Sequence, residues 1–382
     1  MSGYDPTARR DTPLALKLKD AIRRRGPISV ADYMAACLTD PDHGYYTGKS
    51  AIGAHGDFIT APEISQVFGE LLGLWSVVVW KQMGAPASFN LIELGPGRAT
   101  MMQDALRAAA LAPDFLAAAD ICLIEINPAL RAQQLAALRG DATQRNKPRW
   151  FERIEELQQH DAADKPAIII ANEFLDTYPP TQFVRQAPSW HWRYVGLDQD
   201  DNLQFCESTE RTDSGSADLH QQLESMFPDA RDGEVVSRTA FGAIPGVVLD
   251  WHTVAALFID YGETTAIGGD TLQALRNQAY EHPLTSPGEA DLSALVDFLE
   301  LDRITEMVSE GRLAVDGPVP QAEFLGRLGI MERASRLMAA NTAKAAEIET
   351  GIARLMSPQG MGTRFKAIGI RSAGLPVLPG FA

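Results

Sequence analysis

The chain has 382 residues, 45% of them hydrophobic and 22% charged, with 34 Lys and Arg against 50 Asp and Glu and a formal charge of −16. An ordinary apolar fraction excludes wholesale disorder, and the length suits two or three domains, or one domain with large insertions. The acidic surplus argues against general nucleic-acid binding, which needs surplus Lys and Arg to neutralise phosphate, and it suits clefts that attract cations.

Thr12-Pro13 starts a helix whose Leu14, Leu18 and Ile22 share one face until Gly26-Pro27 stops it, and Ser29 with Asp32 caps a second short helix. A loop rich in Gly, His and Tyr follows from Pro41 to Ile59. Thr60-Ala61-Pro62-Glu63 reads as a capping box, with Asp57 beside it. Ile64, Val67, Phe68, Leu71, Leu72, Trp75, Val78 and Val79 then keep helical spacing to Gly84. From Phe89 the texture alternates. FNLIEL, ICLIEI (Ile121–Ile126), Arg149–Phe151, AIIIA (Ala167–Ala171) and AALFID (Ala255–Asp260) are apolar strands, separated by helices from Thr100 and from Pro128 and by a Pro113–Asp120 loop. Apolar strands alternating with helices predict an α/β fold with a mainly parallel sheet covered on both faces. FVRQ, HWRYVGL and NLQFCES read as hairpin strands of an insertion, followed by a Ser/Gly/Asp-rich stretch at Thr212–Ala217. The C-terminal third reads as mostly helical, with irregular segments at Tyr280–Asp291 and Val315–Pro320.

The expected domains are an N-terminal helical segment over residues 1–87 covering the site, a core of 88–178 and 250–382, and an inserted hairpin and helix subdomain over 179–249. The richest apolar run, Leu71 to Trp80, is about half the roughly 18 residues that span a bilayer, so no membrane insertion is expected. Cys37, Cys122 and Cys206 lack CxxC spacing and the seven histidines are scattered, so neither a disulfide framework nor a metal site is expected. Arg9, Arg10, Arg23, Arg24 and Arg25 accompany no hydrophobic signal core, and Asp5, Asp11 and Asp20 interrupt a presequence-like character. A bacterial cytoplasm is therefore the first expectation for location and a mitochondrial matrix the alternative.

Glu93-Leu94-Gly95-Pro96-Gly97-Arg98-Ala99-Thr100 carries the chemistry: a strand end, a glycine turn and a helix start that bring backbone amides close to a ligand. A dinucleotide fingerprint needs Gly or Ala where Thr100 stands, and no GxxxxGK run exists for a P-loop. An acid shortly before GxG fits an S-adenosyl-L-methionine loop instead, with Glu93 facing the cationic methionine part. Glu125, at the end of the next strand, can then accept from the ribose hydroxyls. The plain alternative is a tight turn beside solvated acids. Asn172-Glu173-Phe174-Leu175-Asp176 follows another strand and Asp260 ends a further one, where open parallel sheets place their ligands. Asn172 and Asp176 also suit caps or turns, and for Glu63 the cap is the preferred role.

The blocks GYY (Gly44–Tyr46), GDFITAPEIS (Gly56–Ser65), FGE (Phe68–Glu70), ELGPGR (Glu93–Arg98), NEFLD (Asn172–Asp176), IDYG (Ile259–Gly262) and DTLQA (Asp270–Ala274), in this order, resemble the MidA-type methyltransferases. These are bacterial and mitochondrial relatives of the complex I assembly factor that modifies arginine. The resemblance runs from about Ile28 to Lys366. It implies a class I, Rossmann-like methyltransferase fold, S-adenosyl-L-methionine as donor and a protein arginine as acceptor, on a client such as a respiratory NADH dehydrogenase subunit. A homodimer stays open. By this resemblance Glu93, Leu94, Gly95, Pro96 and Gly97 line the donor site with Glu125 on the ribose, and Ile126, Asn172 and Thr60 complete the expected set. Glu173 is expected to clamp the acceptor, with Asp176 or Asp260 as the second carboxylate. Ala99 stands where the family usually has a third glycine. A small-molecule or other side-chain methyltransferase, and a donor-binding assembly chaperone, are the rival readings.

Overall fold

The computed structural model describes residues 4–47, 59–139, 147–161, 165–211, 217–239, 241 and 243–382. Asp57 and residues 212–216 of the Ser/Gly/Asp-rich stretch lie outside the described residues. The chain forms two compact units, one of Met1–Phe58, Asp176–Ala240 and Glu263–Glu300, the other of Ile59–Leu175, Phe241–Gly262 and Leu301–Ala382.

The second unit is built on the expected sheet. Its strands run in the spatial order Leu313–Pro320, Phe365–Ser372, Val254–Glu263, Ala167–Asn172, Phe89–Leu94, Ala119–Ile124 and Arg149–Phe151. The last five are mutually parallel and the first two antiparallel. Phe89–Leu94 and Ala167–Asn172 are buried at every residue, as strands covered on both faces must be. After Phe89–Leu94 the chain steps outward through Ala119–Ile124 to Arg149–Phe151, then returns to the other side of Phe89–Leu94 with Ala167–Asn172. The strand order thus reverses between Phe89–Leu94 and Ala167–Asn172. A crevice opens at the carboxyl ends of strands where such a reversal occurs. Among the described residues, no helix is long and apolar enough to cross a membrane.

The helix Gln66–Gln82 packs against Thr100–Ala109 at a distance only glycine allows. A Cβ on Gly73 would lie 2.3 Å from the Ala105 carbonyl oxygen, and one on Gly69 would lie 2.7 Å from Asp104 Cβ. Glu70 of the FGE block is buried on the same helix, where it accepts from Arg107 at 2.9 Å and Arg333 at 2.7 Å. Burial pushes its carboxyl up, but the two guanidiniums outweigh it and hold the group below its usual range. Glu70 therefore ties three helices together and belongs to the scaffold.

The helix expected to run unbroken from Thr60 to Gly84 is two helices, Ala61–Ile64 and Gln66–Gln82. Ser65 leaves the helical region at φ −156° and ψ 128°, and its hydroxyl caps the second helix by accepting from Val67 N at 3.3 Å. Thr60 makes no side-chain cap bond, so the capping box is absent. Pro113–Ala118 is a helix rather than a loop, since Pro suits the first helical position. The C-terminal third, read as mostly helical, supplies the two antiparallel strands of this sheet. Val315–Pro320, read as irregular, lies in Leu313–Pro320, whose Pro residues are tolerated because this is the sheet's edge, with a register shift between Asp316 and Val319.

In the first unit, the helices Pro13–Arg25 and Val30–Thr39 are capped by Thr12 and Ser29 as expected. Pro180–Gln186, Ser189–Leu197 and Leu203–Arg211 form antiparallel strands together with Ile28–Ser29 and Val235–Thr239. A separate three-stranded sheet pairs Leu272–Arg276 with Ala279–Glu281 and with Asp291–Ala294, so only the ends of the region read as irregular are strands and residues 283–290 are turns and bends. Leu14, Leu18, Ile22, Tyr33 and Met34 pack with Leu272, Leu284 and Leu292 in this unit's core.

Candidate functional site

The carboxyl ends of Phe89–Leu94, Ala119–Ile124 and Ala167–Asn172 carry the residues of interest, all within the second unit. Glu93 is one residue from the end of its strand and 2% exposed. Its Oε2 is buried and has no hydrogen-bond partner among the described residues. Burial alone pushes its carboxyl up to about 8. On the neighbouring parallel strand, Asn172 Oδ1 is also buried, with no hydrogen-bond partner among the described residues. These two acceptors lie on adjacent strand ends, and among the described residues no donor reaches either of them. An unmatched buried acceptor costs roughly 1–3 kcal/mol, and more if charged, so a ligand bearing N–H donors and positive charge gains what the empty protein forgoes.

The turn that follows leaves its backbone open. Gly95 and Gly97 are exposed at φ +61° and +52°, conformations that favour glycine, while Pro96 between them is buried. A Cβ on Gly95 would meet the Phe174 ring at 2.9 Å, whereas nothing lies within 4 Å of one on Gly97. One glycine thus admits an aromatic ring and the other leaves room above the loop. Ala99, at the position of the expected third glycine, adopts φ +61° and ψ 24° as the residue preceding the Thr100–Ala109 helix. A left-handed conformation costs a residue with a Cβ about 1 kcal/mol or more. Ala99→Gly is therefore expected to raise the unfolding free energy by up to about 1 kcal/mol, measured by chemical denaturation, with the slope unchanged.

Glu125 sits one residue beyond Ala119–Ile124 and is 8% exposed. Its Oε1 accepts from Asn127 N at 2.8 Å and its Oε2 from Gln134 Nε2 at 3.0 Å. Burial raises its carboxyl, opposed by these two hydrogen bonds. Ile126 is half-buried beside it, and Leu94 is buried at the end of its own strand.

Glu173 is half-buried and holds φ +52°, a strained value for a residue with a side chain. Its Oε1 accepts from Ala61 N at 2.9 Å and from Asn172 Nδ2 at 3.1 Å, while Oε2 has no hydrogen bond among the described residues. Burial pushes its carboxyl up to about 7 against the pull of those two donors. Asp260 is fully buried. It accepts from Phe174 N at 2.9 Å, Leu175 N at 2.7 Å and Tyr261 N at 2.8 Å, and so shapes the loop that carries Glu173. Asp176 belongs to the first unit, in the short turn Leu175–Thr177.

Sequence reasoning undervalued Glu63. Its carboxylate does not cap its own helix but accepts from Arg98, through Nε at 3.3 Å and through Nη2, and from Thr100 Oγ1 at 2.6 Å. The Ala61–Ile64 helix is thereby held at one end by Glu173 and on its flank by the segment after the glycine turn. Thr60, half-buried, leads into it. The preference of Glu63 for Arg98 over a cap depends on chain folding and left no local signal. Because these groups are partly exposed, Glu63→Gln is expected to weaken donor binding only about fivefold, as read by calorimetric titration.

The chain is similar to several known proteins. A family described as "Putative S-adenosyl-L-methionine-dependent methyltransferase" matches residues 71–319. The human protein named protein arginine methyltransferase NDUFAF7, mitochondrial, is 32% identical over 386 residues, covering 95% of this chain and 84% of that protein. Its Drosophila melanogaster homologue, also named as mitochondrial, is 32% identical, covering 92% of this chain and 83% of that protein. A crystal structure of a Burkholderia thailandensis protein bound to S-adenosyl-homocysteine superimposes with a TM-score of 0.82 at 25% identity, covering 97% of this chain and 94% of that one.

Proposed function

We propose, from the premise that this chain belongs to the MidA-type family of S-adenosyl-L-methionine-dependent methyltransferases, that it methylates an arginine side chain of a protein client. The observation that carries the donor half is the pair of orphaned acceptors, Glu93 Oε2 and Asn172 Oδ1, at the reversal of strand order. An α-ammonium group brings three N–H donors and a positive charge to these atoms. Glu125 fits the ribose hydroxyls, and the open backbone at Gly97 gives the donor room. When bound, the donor supplies an electrophilic methyl group on a sulfonium.

The chain's own residues handle the acceptor. A guanidinium is protonated at any working pH and nucleophilic only when its charge is drawn away from the attacking nitrogen. We assign Glu173 Oε2 to accept from the guanidinium, orient it and take the released proton. Its carboxyl at about 7 suits that exchange near neutral pH. Asp260, with three backbone amides already on its oxygens, is assigned to positioning the Glu173 loop rather than to a second contact with the acceptor. Asp176, in the other unit, has no role in this assignment.

The names of the relatives support arginine as the acceptor and a mitochondrial location over a bacterial cytoplasm. The sequence resemblance supports a respiratory NADH dehydrogenase subunit as client. Incubation with isotope-labelled S-adenosyl-L-methionine and a preparation of that enzyme's subunits, followed by peptide mass spectrometry, should place the label on arginine. Label found only on lysine or on small molecules would overturn the acceptor assignment.

A further inference from the structure

We infer that Gln134 is a positioning residue for the methyl donor, tying the glycine turn to the ribose-facing carboxylate so that both sides of the donor site hold one geometry. The inference rests on the donor reading above. Gln134 lies on the Pro128–Ala137 helix and is 0% exposed. Its Nε2 donates to the Gly97 carbonyl oxygen at 2.7 Å and to Glu125 Oε2 at 3.0 Å, while its Oε1 accepts from Trp150 Nε1 at 2.7 Å.

The orientation of this amide is fixed by chemistry. An indole N–H can only donate, so the amide oxygen must face Trp150 and the amide nitrogen must face the site. Both amide hydrogens are then used, one on the glycine turn and one on Glu125. The Glu125 carboxylate is held at each oxygen, by Asn127 N and by Gln134, which fixes its plane. A carboxylate offers about four acceptor positions, so two donors leave acceptor capacity for a vicinal diol. The Gly97 carbonyl, held by the same amide, keeps its φ +52° turn in register with that carboxylate. Three segments distant in sequence, the turn at Gly97, the strand end at Glu125 and the Arg149–Phe151 strand carrying Trp150, meet on this one side chain. No spacing rule marks it, because a glutamine inside a helix is ordinary.

The test is calorimetric titration of S-adenosyl-L-methionine into the parent protein and into Gln134→Glu, Gln134→Met and Trp150→Phe at pH 6 and pH 8.5, with melting temperatures and turnover at saturating donor. Loss of a buried hydrogen bond to a charged group corresponds to roughly 10-fold to 100-fold in affinity. We expect that loss, relative to the parent, for Gln134→Glu at pH 8.5. Partial recovery relative to the parent is expected at pH 6, where the new carboxyl regains a proton to donate. Gln134→Met should lose affinity equally at both pH values, Trp150→Phe should lose less, and kcat should stay within about threefold. Lower melting temperatures with parental affinity in all three variants would make Gln134 merely structural and overturn the inference, as would a pH-independent loss in Gln134→Glu. A parent protein that binds no donor would overturn the donor reading and this inference together.

Discussion

Glu93→Gln is expected to bind S-adenosyl-L-methionine at least about 100-fold more weakly than the parent, and yet to be the more stable protein when empty at pH 8. The two effects have one cause. Glu93 is buried with an orphaned oxygen, and nothing among the described residues neutralises or solvates it. Its carboxyl stands at about 8 in the folded chain, against an ordinary value of 4.5. Between those values the unfolded chain has released this proton and the folded chain still holds it. Folding stability therefore falls as pH rises from about 4.5 to about 8, and the contribution is fully present only below that window. A glutamine does not titrate, so the variant escapes this loss, worth on the order of 2 kcal/mol at pH 8 after allowing for the amide's own burial. At pH 4 that advantage should be gone, with the variant no more stable than the parent, because only the amide's burial then separates the two. Paired thermal melts at the two pH values check the stability half and donor titration the binding half. Equal melting temperatures at pH 8 would mean that Glu93 is satisfied in the empty protein.

Glu173→Gln should instead spare donor binding and remove turnover, lowering kcat by roughly 10²-fold to 10⁴-fold while the donor Kd moves less than about threefold. The carboxyl at about 7 predicts that parental kcat falls as pH drops through neutrality, because the protonated form can neither draw charge from a guanidinium nor accept its proton. The residual activity of the variant should lose that limb. The amide still offers an oxygen to Ala61 N and Asn172 Nδ2, so the Ala61–Ile64 helix keeps its anchor. Stopped assays across pH 5.5–8.5 with saturating donor decide the matter. Near-parental turnover would remove Glu173 from the acceptor site.

Much of this site was legible in the sequence because its parts obey local rules. A turn with Gly95 and Gly97 at positive φ needs glycine, and an acid at the end of a wholly apolar strand stands out against its neighbours. The parallel strands announced themselves as apolar runs between helices. What was hidden is what depends on chain folding. Glu63 resembles a capping acid in sequence, and only the approach of Arg98 and Thr100 turns it to another purpose. Gln134 becomes informative only once Trp150, Gly97 and Glu125 surround it. Leu313–Pro320 was hidden by its prolines, which signal a break everywhere except on an edge strand. Ser65 was legible in principle, since serine before an apolar run is a cap signal, but the apolar spacing running through it concealed the break.

The central claim is that Glu93 anchors the positive charge of the donor. It is tested most directly by calorimetric titration of S-adenosyl-L-methionine at pH 7 in two buffers with different ionisation heats. An acid at about 8 enters the complex protonated and must ionise to pair with an ammonium. The account predicts single-site binding with release of about one proton to the buffer. Absence of binding, or single-site binding whose heat is the same in both buffers, would contradict it.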